Sequence, residues 1–323
     1  MPELPSDEMR VAVAAEEGLI PAGMGLDTSP IDIEVEQPGT TEMTPDAEHA
    51  YAKKKLGVGF WVSTAWVALM ILLAVFANLL PLQDPNAIGS DLPGLGPSIH
   101  HLLGTDELGR DLFARIVYGA RVSLVVGFTS IALGMIVGGA LGLLAGYHRG
   151  KIDALVVAMA NILLAFPALV LALAIVTFWG ASLLHVTLAI AILAVAPLSL
   201  LVRGSTIVFS QREFVTAARM LGAKSNRIIY REILANVLPT ALSLGLISVA
   251  VAIVAEGALS FLGLSVHPPT ASWGNMIAEG RIVMAQHPGI VLWPSIFLFL
   301  TVLSLNFAGD RLRSHFDVKE GAL

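Results

Sequence analysis

The sequence contains no cysteine, and only 14% of its 323 residues are charged. The absence of cysteine excludes disulfides, thiol catalysis and thiolate metal sites. Soluble domains are about 25% charged, whereas this chain is 55% hydrophobic with a mean hydropathy of +0.77. This composition predicts a membrane protein.

The sequence also lacks the motifs of enzymes that work alone. No G-x-x-x-x-G-K-[ST] phosphate loop occurs, because the stretch from Gly146 to Lys151 has the wrong spacing. There is no paired-histidine zinc motif and no G-x-S-x-G elbow. The one histidine pair, His100-His101, falls in a predicted loop, where we expect both side chains to be solvated. We therefore predict no catalytic residue, cofactor or metal site in this chain, so that any energy for transport must come from a partner.

Acidic residues are concentrated at the start of the chain. Residues 1–50 hold 12 of the 25 acids and one base, whereas residues 51–323 hold 13 acids and 18 bases. The acidic segment has no basic region followed by an apolar stretch, so it is not a cleaved signal peptide. Its high charge and low hydrophobicity predict a disordered tail, either a plain extension or a docking segment.

Long stretches without charge predict six membrane-spanning helices, because about 20 apolar residues cross the hydrocarbon core. The 49 residues from Ala154 to Val202 are too many for one crossing, so we expect a break at Trp179–Ser182. Pro167 and Pro197 are expected to kink the third and fourth spans. The predicted spans are 57–80, 122–147, 153–178, 184–203, 234–262 and 289–309.

The Lys and Arg residues predict the orientation of these spans. With a cytoplasmic N-terminus, 14 of them fall in cytoplasmic segments and 4 in extracytoplasmic ones. Both termini are therefore expected in the cytoplasm. In the second span, four glycines recur every four residues, which predicts close packing against another helix. They are Gly134, Gly138, Gly142 and Gly146.

A charged segment, REFVTAARMLGAKSNRIIYREILANVLP, lies between two apolar runs at residues 212–239. Its apolar residues predict one amphipathic helix before Gly222 and another after it. Gly222 permits backbone angles that other residues avoid, so it can join the two helices. From the residues alone, this helix-turn-helix suits either the lipid interface or a groove on a partner protein.

The segment resembles the EAA loop of ABC-importer permeases, in which Glu-Ala-Ala is followed by three residues, a glycine, nine residues and a tail ending in Leu-Pro. Here Thr216 replaces the glutamate and Ala235 replaces the proline, while the Ala-Ala to Gly spacing is kept. Glu213 is placed to stand in for the missing glutamate. The resemblance implies that the ATPase-coupling residues are Glu213, Thr216, Ala217, Ala218 and Gly222.

Four further blocks resemble C-type permease subunits of dipeptide, oligopeptide and nickel importers. They are residues 103–124, 162–175, 255–281 and 294–317. The resemblance implies an all-α fold with six transmembrane helices, the type I ABC importer permease fold. The implied division is a disordered tail at 1–50, the first span with an extracytoplasmic segment at 51–118, a five-helix core at 119–310 with a cytoplasmic loop at 204–233, and a C-terminal segment at 311–323.

The resemblance also implies the partners. The chain would form a heterodimer with a homologous B-type permease in the bacterial cytoplasmic membrane. Two ATPase domains would bind ATP and Mg on the cytoplasmic side, and an extracytoplasmic binding protein would deliver the substrate. No nucleic-acid partner is expected.

Other polar residues are candidates for further roles. Charged residues of the predicted extracytoplasmic segment are expected to form an ion-paired entrance scaffold or to contact the partner permease. They are Asp106, Arg110, Asp111, Arg115 and Arg121. Trp273 is expected to contact the binding protein or to anchor at the membrane interface. Glu256, an acid inside a predicted span, is a candidate for the pathway or for helix packing, and Asn161 is a candidate for the pathway.

The leading hypothesis is therefore a permease subunit of an ATP-dependent importer of di- and oligopeptides. The same machinery carrying nickel, glutathione or haem is one alternative. An ion- or proton-coupled carrier acting alone is another, but it needs several acids at mid-membrane. A membrane-anchored scaffold is a third, and it would not need the proline-kinked helices.

Overall fold

The computed structural model describes residues 57–88 and 91–320, so the predicted acidic tail lies outside the described residues. Within them the chain forms nine helices and one isolated bridge, between Thr105 and Asp111. Short 3₁₀ turns follow α1 and α8. The helices are α1 (Gly57–Phe76), α2 (Leu112–His148), α3 (Gly150–Ala165), α4 (Ala168–Trp179), α5 (Leu183–Phe209), α6 (Glu213–Met220), α7 (Ser225–Phe261), α8 (Trp273–Gly280) and α9 (Gly289–Glu320).

Several helices extend beyond their predicted apolar spans, and α5, for example, continues past residue 203 to Phe209. Helix α2 begins ten residues before the predicted span, because the Asp111 side chain caps it by accepting from the Ala114 N–H at 2.7 Å. Helix α7 begins at Ser225, and α9 continues to Glu320. The charge-free runs thus coincide with helices able to cross a membrane, whereas the Asp111 side chain determines where α2 begins.

The third predicted span is broken. Helices α3 and α4 are bent by 87° at Phe166 and Pro167. Phe166 adopts an extended conformation, as expected for a residue before proline. The described residues therefore contain five helices able to cross a membrane, or up to six if the bent pair is counted as one. Helix α5, in contrast, continues through Pro197, and the predicted break before it is confirmed.

Helices α2 and α5 pack closely along the glycine stripe. A Cβ atom at Gly142 would lie 2.5 Å from the Ser199 carbonyl oxygen, and one at Gly138 would lie 2.7 Å from that of Val195. The close packing predicted from the glycines is confirmed. Because Gly134 meets Ala194 and Gly146 meets Thr206, the two helices run in the same direction.

The bundle has two distinct ends. The loop end holds the segments at 80–88, 91–111 and 262–288, and the α6 end holds the C-termini of α2 and α5 together with α6. The large apolar core lies towards the loop end and includes Leu112, Val186 and Trp273. A second, smaller apolar cluster lies at the α6 end and includes Phe209 and Val215.

Candidate functional site

Helix α6 carries the segment identified by its resemblance to the EAA loop. Of its eight residues only Val215 is buried, and Ala218 is half-buried. Met220 and Leu221 are 84% and 88% exposed. The predicted amphipathic helix is present, but most of its apolar surface faces away from the bundle. That exposed surface includes Glu213, Thr216, Ala217, Met220 and Leu221.

Apolar contacts fix α6 to the rest of the chain. Val215 packs in the second cluster with Ile228, Ile229 and Ile233, which are all buried. The guanidinium of Arg219 also lies over the Tyr147 ring at the end of α2, 5.4 Å from its centroid. Movement of α6 would therefore change its packing against the ends of α2, α5 and α7.

Gly222 ends α6 with a left-handed conformation, at a φ of +77°. The Gly222 N–H donates to the Arg219 carbonyl at 2.9 Å, and the Ala223 N–H donates to the Ala218 carbonyl at 3.0 Å. These two bonds are the pair that defines a Schellman motif. A Cβ at Gly222 would meet no atom within 4 Å, so the backbone angle and not the available space favours glycine. The predicted junction between two helices is confirmed.

A π-helical turn at Ile228–Ile233 lies in the N-terminal part of α7, which begins at Ser225. The buried residues Ile229, Ile233, Val237 and Ala241 recur every four residues, whereas an α-helix has 3.6 residues per turn. A four-residue repeat therefore drifts by about 40° per step in an α-helix. The wider π turn reduces this drift, so residues on both sides of it face the same apolar cluster.

At the loop end, buried ion pairs join three parts of the chain. Asp106 Oδ2 lies 2.6 Å from Arg110 Nε and 3.4 Å from Arg115 Nε. Glu279 Oε2 lies 3.1 Å from Arg110 Nη2 and 3.2 Å from Arg115 Nη2. The ion pairing expected for Asp106, Arg110 and Arg115 is therefore present, and it ties the 91–111 segment to α2 and α8. Glu279 was missed, because it follows Arg115 by 164 residues and no local spacing connects them.

Asp111 and Arg121 do not belong to the ion cluster. Asp111 caps α2 and lies 3.1 Å from His101 Nδ1, while His101 Nε2 lies 3.2 Å from Asp91. The expectation of two solvated histidines is wrong for His101, which is 4% exposed, and right for His100. Arg121 donates to the Ala74 carbonyl at 2.9 Å. Within 57–88 and 91–320, no group of three potential ligands could hold a metal ion.

Trp273 lies inside the chain. Its side chain is completely buried in the large core, and its Nε1–H donates to the Ile116 carbonyl at 3.0 Å. This burial contradicts the expectation that Trp273 contacts a partner or anchors at the membrane interface. Asp106, Arg110, Asp111 and Arg115 are likewise buried, so their contacts support a scaffold and offer no open surface to a partner.

Glu256 is completely buried on α7 and accepts from three hydroxyls. Ser123 donates at 2.9 Å, Ser260 at 2.6 Å and Ser265 at 3.1 Å. These bonds connect α2, α7 and the segment after α7. Asn161 is exposed on α3, and no recorded contact in the described chain joins it to Glu256. The structure therefore does not bring the two pathway candidates together.

Glu107 lies beside the ion cluster. Its Oε1 is buried without a hydrogen-bond partner among the described residues. Burial raises the pKa of Glu107, and the nearby carboxylates of Asp106 and Glu279 raise it further, against smaller opposing effects of Arg110 and His287. The neutral form of this side chain is thus favoured more than in an exposed glutamate.

Comparison with known proteins places the chain in a family. Residues 138–319 match the model of the family described as the binding-protein-dependent transport system inner membrane component. The chain belongs to this family. It is accordingly a permease component of an ABC importer.

Curated relatives match over most of the chain. The glutathione transport system permease protein GsiD of Pectobacterium atrosepticum is 39% identical over 255 residues, which cover 79% of this chain and 85% of the relative. The dipeptide transport system permease protein DppC of Alkalihalophilus pseudofirmus is 40% identical over 267 residues, covering 83% and 87%.

The fold has a solved counterpart. One chain of the inward-facing MetNI methionine ABC transporter aligns with a TM-score of 0.53 at 18% identity. The alignment covers 63% of this chain and 97% of the other. This similarity supports the type I ABC importer permease fold.

Proposed function

We propose that this chain is the C-type permease subunit of an importer of small peptides, with dipeptides and glutathione as the two favoured cargoes. The names of the two curated relatives support this choice, since one is a dipeptide and the other a glutathione permease. Glutathione is itself a small peptide, so both cargoes would need a pathway of similar size. Nickel and haem are less favoured.

Helix α6 is the proposed contact with the ATPase. Its exposed surface combines small side chains, at Thr216 and Ala217, with two large apolar ones, at Met220 and Leu221. A short helix with exposed apolar anchors and a charged rim suits insertion into a groove. The apolar cluster around Val215 would transmit movement of the ATPase to α2, α5 and α7.

The direction of the helices supports six crossings. Helices α2 and α5 run in parallel, so the chain between them must return from the α6 end to the loop end. The bent pair α3 and α4 makes this return and would count as one broken span. The start of α1 and the end of α9 then lie at the α6 end, which the excess of Lys and Arg assigns to the cytoplasm.

The rest of the complex follows from this assignment. A homologous B-type permease would complete the pathway, two ATPase domains would bind ATP and Mg beside α6, and a binding protein would dock at the extracytoplasmic loop end. The bonds of Glu256 to three serines favour a role in helix packing. Asn161, exposed on the broken span, is the better candidate for the pathway.

Substitutions at Gly222 test the coupling role. Gly222→Val places a β-branched side chain at a φ of +77°, which should distort the junction. Gly222→Asn is the matched control, because asparagine tolerates left-handed angles. We expect the valine variant to insert normally but to lose most ATPase co-purification and peptide uptake, while the asparagine variant keeps both. Wild-type uptake by the valine variant would contradict the coupling role.

A further inference from the structure

An apolar groove runs between α1 and α2 at the loop end, with a volume of about 320 Å³. Its α2 wall repeats at positions 121, 124, 125, 128 and 129, which lie on one helical face. Its α1 wall is formed by Ile71, Ala74 and Val75. Apart from Arg121 at one end, almost the whole lining is hydrocarbon.

Arg121 closes this end of the groove. Its Nε donates to the Ala74 carbonyl at 2.9 Å and its Nη2 to the Val75 carbonyl at 3.4 Å. Its guanidinium also lies 5.5 Å from the centroid of the Tyr118 ring. The two carbonyls belong to the last turn of α1, where helix carbonyls have no partner within the helix. They orient the guanidinium but supply only partial negative charge.

The charge of Arg121 is not balanced within the described chain. No carboxylate of residues 57–88 or 91–316 forms a salt bridge with Arg121, whereas Arg110 and Arg115 share Asp106 and Glu279. All three arginines lie at the loop end, so Arg121 differs from its two neighbours in being bound by carbonyl groups and not by carboxylates.

Arg121 lies near the end of the candidate span of α1. Its partner Ala74 precedes Leu79, the last residue of that span, by five residues, or about 7 Å along a helix. A cation near the end of a span can reach the membrane surface, where an anionic partner is favoured. In a membrane the abundant anion at that level is a lipid phosphate, which a guanidinium binds well.

We propose that this groove binds one anionic phospholipid, with an acyl chain between α1 and α2 and its phosphate on Arg121. The groove is open at the surface of the described chain, because Val75 and Val125 are 61% and 43% exposed. Helix α1 has only two buried residues, Met70 and Ala74, so the lipid would also fill the gap beside a weakly attached helix. A partner protein in the same place would have to supply its own acidic side chain near the membrane surface.

The test uses the assembled transporter, purified in detergent and exposed to phosphatidylglycerol. Native mass spectrometry counts the lipids retained per permease chain after mild delipidation. We expect one phosphatidylglycerol to be retained by the wild type and at least tenfold less by Arg121→Gln. Arg281→Gln is the matched control, because Arg281 also lies at the loop end and stacks on Phe261 without a carboxylate partner in the described chain. It should retain lipid like the wild type.

Further measurements separate the lipid from other ligands. Phosphatidylglycerol should raise the melting temperature, whereas diacylglycerol, which lacks phosphate, and inorganic phosphate should not. Val125→Trp, which fills the groove and keeps Arg121, should also reduce retention, so the test survives if Arg121→Gln fails to fold. The proposal would be refuted if Arg121→Gln and Val125→Trp both retained as much phosphatidylglycerol as the wild type. It would also be refuted if inorganic phosphate raised the melting temperature as much as phosphatidylglycerol does. Efficient crosslinking of Val125→Cys to another subunit would show that protein occupies the groove, because the native chain has no cysteine.

Discussion

The two ends of the bundle are held together by different interactions. At the loop end, Asp106, Arg110, Arg115 and Glu279 form a buried ionic cluster. At the α6 end, Val215 and its neighbouring isoleucines form an apolar cluster while charged and large apolar side chains remain exposed. These four charges at the loop end are paired with one another, whereas the charged residues Glu213 and Arg219 of α6 are exposed.

This difference suits different tasks. Buried ions require several fixed partners, since removal of one leaves an uncompensated charge, so the loop end is expected to keep one geometry. An apolar anchor tolerates small displacements and leaves the opposite surface available. The exposed surface of α6 is consistent with the docking role proposed for it.

The largest effect is expected from Arg115→Met. The substitution leaves Asp106 and Glu279 with one arginine and also removes the bond to the Pro85 carbonyl. Removal of one partner from a buried ion pair costs about 3–5 kcal/mol. Thermal denaturation of the purified chain in detergent measures this loss. Arg281→Met serves as the control, and equal melting temperatures of the two variants would show that the cluster contributes little.

A smaller effect is expected from Val215→Ala. Loss of two buried methyl groups should cost about 2 kcal/mol, and the effect should be confined to the α6 end. Hydrogen exchange of residues 213–223 should accelerate while exchange of α8 stays unchanged. Met220→Ala, at a position 84% exposed, should change neither. Uniform acceleration across the chain would show that the two ends are not independent.

The smallest effect is expected from Glu107→Gln. Since folding raises the pKa of Glu107, the folded chain binds this proton more tightly than the unfolded chain, and stability is lost as pH rises through the folded-state pKa. The glutamine variant should therefore be more stable by a few tenths of a kcal/mol at neutral pH. The advantage should vanish below about pH 4, near the ordinary pKa of glutamate. Melting temperatures across this range check the sign, and a less stable variant at neutral pH would contradict it.

Much of this architecture was predictable from local patterns. Charge-free runs located the long apolar helices, the four-residue glycine repeat predicted that α2 packs closely against another helix, and Gly222 predicted the helix junction. The burial of Trp273 and His101 and the pairing of Glu279 with Arg115 were not predictable. These features depend on contacts between segments far apart in sequence, for which a single sequence gives no spacing. The start of α2 at Asp111 was missed because a charged segment can be helical outside the hydrocarbon core.

The central claim is that the exposed surface of α6 docks the ATPase. A single cysteine at Met220, in a chain with no native cysteine, can be crosslinked within the assembled complex. Ile99→Cys is the control at the loop end, because Ile99 is 96% exposed. The account predicts that the cysteine at 220 crosslinks to the ATPase subunit and the cysteine at 99 does not. Crosslinking to the ATPase from position 99 and none from position 220 would contradict it.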